Sequence, residues 1–147
     1  MSTDLAETWG ALLKVHAALV PRLDRELQVA HGLPLTWYDV LLELNTASGR
    51  RLTMGQLGSV VAVSRTRVSR VVDELVRAGL VTREPNPDDG RSAFATLTPA
   101  GRTALRTAAP TYVAAVQREF ADHLTAREAE AMAQAFRKVL AADARVH

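Results

Sequence analysis

Cysteine is absent from the chain, which excludes disulfides, thiolate zinc sites, cysteine nucleophiles and thiol-based redox sensing. No apolar run approaches the ~18 residues of a membrane span. The opening MSTDLAETWG is acidic where a secretory signal would be basic and then apolar. No membrane partner and a cytoplasmic location are therefore expected. GxSxG, a P-loop, a dinucleotide-binding glycine pattern and HExxH are all missing. Ser, His and Asp occur in no arrangement that points to a nucleophile, so an enzyme is not expected. His16, His31, His123 and His147 lack HxxxH or similar spacing, and neither a metal nor another cofactor is expected. Internal repeats, low-complexity tracts and flexible linkers are also lacking.

What is present describes a globular chain. At 147 residues and 48% apolar composition it fits one domain, or one domain with an extension that packs on itself or on a partner. The net charge of +2 is uninformative, but its distribution is not. Residues 50 to 102 hold nine arginines against five acids, and the rest of the chain holds nine bases against eleven acids. A basic middle between mildly acidic ends implies a polyanion partner for the middle only.

Periodicity orders the elements. Leu5, Trp9, Leu12, Leu13, His16, Val20, Leu23 and Leu27 recur at three- and four-residue spacing, which predicts an amphipathic helix over 4–30 that Pro21 kinks or interrupts. HGLPL breaks the chain, and TWYDVLLELN opens a second helix with Thr36 as N-cap and Asp39 three residues on. TASGRRL reads as a loop ending in a very short strand. Thr53 and Gln56 form a capping-box pattern ahead of Leu57, Val60 and Val61 on one helical face. SRTRVSRVVDELVRAG follows, capped by Ser64 and terminated by Gly79. Two alternating stretches, LVTREP and SAFATLT, then flank a turn. Thr98 and Pro99 start a helix that Pro110 bends, and Thr125 with Glu128 is a capping box that starts the last helix.

Two short helices joined by AVS and followed at once by a hairpin form the pattern of a winged helix-turn-helix. At ~100° per residue from Val68, the side chains of Val71, Val72, Leu75 and Val76 fall within about 80° on the core side. Thr66, Arg70, Asp73 and Arg77 point away, with Arg67, Ser69 and Glu74 on the flanks. The first turn carries Arg65, Arg67 and Arg70 and no acid before Asp73. A helix N-terminus disfavours cations, so this arrangement costs stability unless an anion arrives. A phosphate backbone supplies one, with the Ser64, Thr66 and Ser69 hydroxyls and free N–H groups as donors. Arg67 and Arg70 are candidates for guanine edges.

In the hairpin turn PNPDDGRS, Pro85 and Pro87 stiffen the approach, Gly90 permits the tip conformation, and Asp89 is placed to hold the guanidinium of Arg91. Arg91 is then a candidate for the minor groove beside the recognition helix. A surface hairpin kept soluble by a polar turn is the alternative.

The residues LTWYDVLLEL, VSRTRVSRVVDELVRAGLVTREPNPDDGR and LTPAGR carry a resemblance to MarR-type transcriptional regulators, over about residues 5 to 143. The wing signature is matched by Asp89, Arg91, Leu97, Thr98 and Gly101. The resemblance implies a mainly α fold with a small β-hairpin wing, in which a winged helix-turn-helix domain (35–98) joins a helical dimerisation region from both termini (1–34 and 99–147). It implies a homodimeric regulator, a repressor by family habit, that binds a near-palindromic double-stranded operator. Release by a small phenolic or aromatic ligand is a further implication, and by position Trp9, His16, Trp37, Tyr38 and Asp39 are the candidates for its cleft. Aromatics and a histidine at helical spacing are more often ordinary core than ligand contacts. A ligand- or protein-binding winged-helix module without specific DNA binding remains the other functional class.

Overall fold

The computed structural model describes residues 4–144, apart from the side chains of Arg65 and Ala144. The helices are α1 (Leu5–His31), α2 (Leu35–Thr46), α3 (Met54–Val60), α4 (Arg65–Arg77), α5 (Pro99–Glu119) and α6 (Ala126–Ala144). The strands are β1 (Arg51–Thr53), β2 (Val81–Pro85) and β3 (Ala93–Leu97), and short 3-10 turns occupy Ser48–Arg50 and Ala121–His123. The chain is thus mainly helical with a small antiparallel sheet in the order β1-β3-β2. Val81 faces Leu97 and Pro85 faces Ala93 in the hairpin, while Arg51–Thr53 pairs with the other edge of β3.

The chain divides into two compact units, Met1–Val20 with Val113–His147, and Pro21–Tyr112. In the Pro21–Tyr112 unit the core is built from α2 (Val40, Leu41, Leu44), α3 (Leu57) and α4 (Val68, Val71, Val72, Leu75), closed by Val81, Ala95 and Leu97 of the sheet. In the other unit, Leu5, Trp9, Leu13, Val113, Val139 and Leu140 all stand exposed. The α6 start there is the expected capping box: Thr125 N–H donates to Glu128 Oε2 at 2.9 Å and Glu128 N–H to Thr125 Oγ1 at 3.2 Å. The Thr125 main-chain N–H, and after it the Thr125 hydroxyl, hold the Glu128 carboxyl below its ordinary value.

Several local expectations change. Pro21 and Pro110 lie inside helices that continue past them, so Pro21 does not interrupt α1. Proline removes one hydrogen bond, and a long helix with many others tolerates that. Thr36 does not cap α2: the helix begins at Leu35 after Pro34, without a side-chain cap. The Leu35 N–H instead donates to Asp24 Oδ1 at 2.9 Å, so a residue of α1 satisfies the orphan donor. Val60 and Val76 lie at the margin of their apolar stripes and are 50% and 38% exposed.

Glycine is required for different reasons at two positions. Gly79, φ 76, takes the left-handed conformation that ends the α4 segment. Gly101 is buried, and a Cβ there would overlap the Leu80 carbonyl and approach Leu97 Cδ1 to 2.8 Å. The close approach follows from Thr98, whose N–H donates to Leu80 O at 3.1 Å and whose hydroxyl donates to Gly79 O at 2.8 Å. The same hydroxyl accepts the Gly101 N–H at 3.0 Å, so Thr98 joins the end of α4 to the start of α5.

Candidate nucleic-acid interface

Thr53 and Gln56 begin the helix pair with a complete capping box. The α3–α4 turn is held from outside by Asp39 of α2, whose Oδ2 accepts the Ala62 N–H at 2.8 Å. Burial pushes the Asp39 carboxyl above its ordinary value, and the Ala62 bond offsets part of that. The recognition helix is held by a second tie, in which the Trp37 indole N–H donates to Glu74 Oε2 at 2.8 Å.

These ties leave one face of α4 outward. Thr66, Arg67, Ser69, Arg70, Asp73 and Arg77 are all exposed. Ser64 occupies the N-cap position, yet its side chain caps no main-chain N–H and pairs with Thr66 Oγ1 at 3.2 Å. The first turn of α4 is therefore uncapped by a side chain and has no acidic residue, which is the electrostatic condition for holding an anion. Arg65 begins the helix, but its side chain lies outside the described residues.

The nine arginines of the basic middle separate by role. Arg83 of β2 reaches back to α4, with Nη2 at 3.0 Å from Asp73 Oδ1 and at 3.3 Å from both Ser69 O and Ser69 Oγ. Ser69, expected to face DNA, is thus engaged by the wing. Arg51 stacks over the Phe94 ring at 4.3 Å from its centroid. Arg67, Arg70, Arg77 and Arg91 are exposed and have no ion-pair partner among the described residues.

The wing turn is organised by Asn86, which the sequence reading did not single out. Asn86 N–H donates to Ser92 O at 3.3 Å and its Nδ2 to Ser92 Oγ at 3.1 Å. Asp88 N–H donates to Asn86 Oδ1 at 3.0 Å, which gives the adjacent Asp88 a place in an Asx turn. An Asn followed by Pro and Asp is the signal that would have revealed it. Asp89 accepts the Arg91 main-chain N–H at 3.0 Å, so it orients the backbone of Arg91 rather than its guanidinium. Gly90 has no left-handed φ and open space around a notional Cβ, because side-chain turns already shape the tip.

The candidate ligand residues are placed as follows. Trp37, Tyr38 and Asp39 follow one another on α2, with Tyr38 buried and its ring centroid 4.5 Å from that of Tyr112. Trp9 and His16 are exposed on the part of α1 that belongs to the other unit. Among the described residues there is no His/Asp/Glu group suited to a metal, and no helix long and apolar enough to cross a membrane.

A helix pair whose second helix presents an uncapped, arginine-bearing face next to a hairpin defines a winged helix-turn-helix protein. Residues 31–92 match the MarR family. The chain is 33% identical to Sco3205 of Streptomyces coelicolor, a MarR family transcriptional regulator solved in complex with DNA, with a TM-score of 0.85 over 95% of this chain and 87% of that one. AbsC, another MarR family regulator of Streptomyces coelicolor, is 31% identical, with a TM-score of 0.85 over 100% of this chain and 99% of its own. The HTH-type transcriptional regulator YkoM of Bacillus subtilis is 34% identical over 90 residues, which span 61% of this chain and 57% of YkoM. The chain belongs to the MarR family.

Proposed function

We propose that the chain is a homodimeric, sequence-specific DNA-binding regulator, a repressor that leaves a near-palindromic operator when a small aromatic or phenolic ligand binds. The observation that carries the DNA reading is the uncapped, acid-free first turn of α4 with Arg67 and Arg70 exposed and unpaired. In this reading Ser64, Arg65, Thr66, Arg67, Ser69 and Arg70 meet the major groove and its phosphates. Asp89 sets the backbone from which Arg91 enters the minor groove. No catalytic role is assigned to any residue.

Dimerisation is assigned to the terminal helices, residues 1–34 and 99–147, with 35–98 as the DNA-binding part. Its support is the exposed apolar set Leu5, Trp9, Leu13, Val139 and Leu140, which a second copy would cover. The ligand is assigned to Trp9, His16, Trp37, Tyr38 and Asp39. Asp39 makes the link physical, because a ligand that competes for its carboxylate releases the Ala62 N–H and loosens the seat of α4. The test is titration of labelled intergenic duplex from the chain's own gene region against a random duplex of equal length, over a salt series. Preference for the intergenic DNA and a steep fall of log affinity with log salt are expected. Equal affinity for the two duplexes would overturn specific regulation in favour of a winged-helix module with another partner.

A further inference from the structure

Asp89 and Gly90 form the single Asp-Gly pair of the sequence, and the pair stands in the wing turn. An aspartyl carboxyl can be attacked by the main-chain nitrogen of the residue that follows it, and a Cβ on that residue hinders the approach. Glycine has none. The attack also needs an exposed chain and an amide nitrogen that is not already engaged. Asp88, Asp89, Gly90 and Arg91 are all exposed. The Gly90 N–H donates no hydrogen bond among the described residues, whereas its neighbours do: Asp88 N–H to Asn86 Oδ1, Asp89 N–H to Asn86 O, and Arg91 N–H to Asp89 Oδ1.

The last of these bonds brings the reacting atoms together. Asp89 Oδ1 reaches past its own following peptide to the Arg91 N–H at 3.0 Å, so the side chain is folded back along that peptide with Cγ beside the Gly90 nitrogen. A notional Cβ on Gly90 meets nothing within 4 Å, and Gly90 has no left-handed φ. Glycine is thus required there neither by packing nor by backbone conformation, and what it leaves is an unshielded amide. Other side chains lack this combination. Asn86 precedes Pro87, which has no N–H to lose. Asp88 precedes Asp89, whose N–H is bonded to Asn86 O at 3.3 Å. Asp24, Asp39 and Asp73 lie inside helices, where the following N–H is bonded to the preceding turn.

We infer that Asp89 with Gly90 is a self-modification site, at which the chain isomerises to isoaspartate. In the first step the Gly90 nitrogen bonds to Asp89 Cγ, and its proton leaves with the carboxyl hydroxyl as water, closing a succinimide ring. In the second step water opens the ring at the former main-chain carbonyl of Asp89. The peptide then runs through Cγ, and the old main-chain carbon becomes a free carboxylate. Water is lost and regained, and nothing is oxidised or reduced. The product lengthens the main chain by a methylene. It also removes the acceptors of two turn bonds, Asp89 Oδ1 for the Arg91 N–H and Asp89 O for the Ser92 N–H at 3.2 Å. Arg91 is thereby displaced. The loss of a wing contact to DNA rests on the minor-groove reading of Arg91 given above, but the isomerisation itself does not.

The test is incubation of the full-length protein, free of DNA, at mildly acidic pH and physiological temperature. Isoaspartate is counted by methyl transfer from S-adenosylmethionine with a protein isoaspartate methyltransferase, and located by peptide mapping. Wild type is expected to accumulate it at position 89 above all other sites. Gly90→Ala should slow its formation about threefold or more, and Asp89→Ser, which keeps a turn acceptor but cannot cyclise, should abolish it. Circular dichroism checks that the variants fold, and Asp89→Ser gives the same reading if Gly90→Ala does not. Absence of isoaspartate, equal amounts at other aspartates, an undiminished rate in Gly90→Ala or a persistent signal in Asp89→Ser would each overturn the site. Incubated wild type should also bind the labelled intergenic duplex about fivefold or more weaker than fresh protein, while incubated Gly90→Ala stays closer to its own fresh value. Unchanged affinity in isomerised wild type would overturn the minor-groove role of Arg91 and leave the modification site standing.

Discussion

The Asp39 carboxylate accepts the Ala62 main-chain N–H at 2.8 Å and so joins α2 to the turn between the two helices of the DNA-binding motif. The bond spans 23 residues and sits on a carboxyl whose pKa burial raises. Glu43, one turn along α2, is raised by burial and then by Asp39 itself. Tyr112 on α5 is raised by burial and then by Asp39, but it titrates far above the acidic range.

A raised acid contributes stability that is complete below its unfolded value and is lost as pH rises through its folded value. For Asp39 and Glu43 that window opens above 3.8 and 4.5 respectively. Asp39→Asn keeps an acceptor for Ala62 and removes the charge. Thermal melts from pH ~4 to ~7 should therefore show the variant's Tm gaining on wild type as pH rises. A constant difference across that range would contradict an ionised, desolvated Asp39. Asp39→Ala removes the acceptor as well and should cost about 1–3 kcal/mol.

Trp37 and Glu74 should be coupled. Trp37→Phe keeps most of the ring packing but loses the 2.8 Å bond to Glu74, a loss of about 1.5–3 kcal/mol for a bond to a charged group. Denaturant unfolding of Trp37→Phe, Glu74→Ala and the double variant should give a coupling energy of about 1 kcal/mol. Additive effects would mean the bond contributes nothing to seating α4.

Arg83→Ala should separate stability from DNA affinity. The Arg83 and Asp73 side chains are 38% and 51% exposed, and such pairs contribute only about 0–1 kcal/mol. The pair nevertheless ties β2 of the wing to α4, so duplex affinity should fall by more than that in anisotropy titrations. An unchanged affinity would assign the contact to the surface alone.

Gly101 and Gly90 should respond oppositely to alanine. At Gly101 the new Cβ meets the Leu80 main chain, and relief requires moving α5 away from the α4–β2 turn. The expected cost is about 3 kcal/mol or more, or a Tm drop of roughly 6–12 °C. Gly90→Ala meets nothing within 4 Å and should change stability by less than about 0.5 kcal/mol. Calorimetry of the two variants checks both.

Arg70→Ala and Arg91→Ala should differ in what they do to DNA binding. Loss of a guanine contact by Arg70 is expected to cost about 1–3 kcal/mol and to relax discrimination at that base pair. Loss of Arg91 should weaken all duplexes and lower the salt slope by about 1, with an unchanged Tm. A lowered Tm in Arg91→Ala would mean that Arg91 is structural.

The elements most legible in the sequence are those whose bonds close within a few residues. The Thr53/Gln56 and Thr125/Glu128 boxes, the Val68, Val71, Val72 and Leu75 stripe and the strands around the wing turn all have this character. Spacing along the chain is already spacing in space there, since helix and hairpin geometry converts one into the other. Thr36 shows where that conversion ends: its pattern was a sound local cap, yet Asp24 from α1 satisfied the Leu35 N–H. Asp39 at Ala62, Trp37 at Glu74, Arg83 at Asp73 and Gly101 at Leu80 were likewise decided only when distant segments packed. The outward face of the recognition helix was therefore determined by the sequence alone, because 3.6-residue periodicity sorts apolar from polar side chains without any partner. Which polar groups hold that face in place, and which remain free to meet an anion, was settled by the tertiary structure, because a buried or half-buried polar group takes whichever partner packing brings within bonding distance.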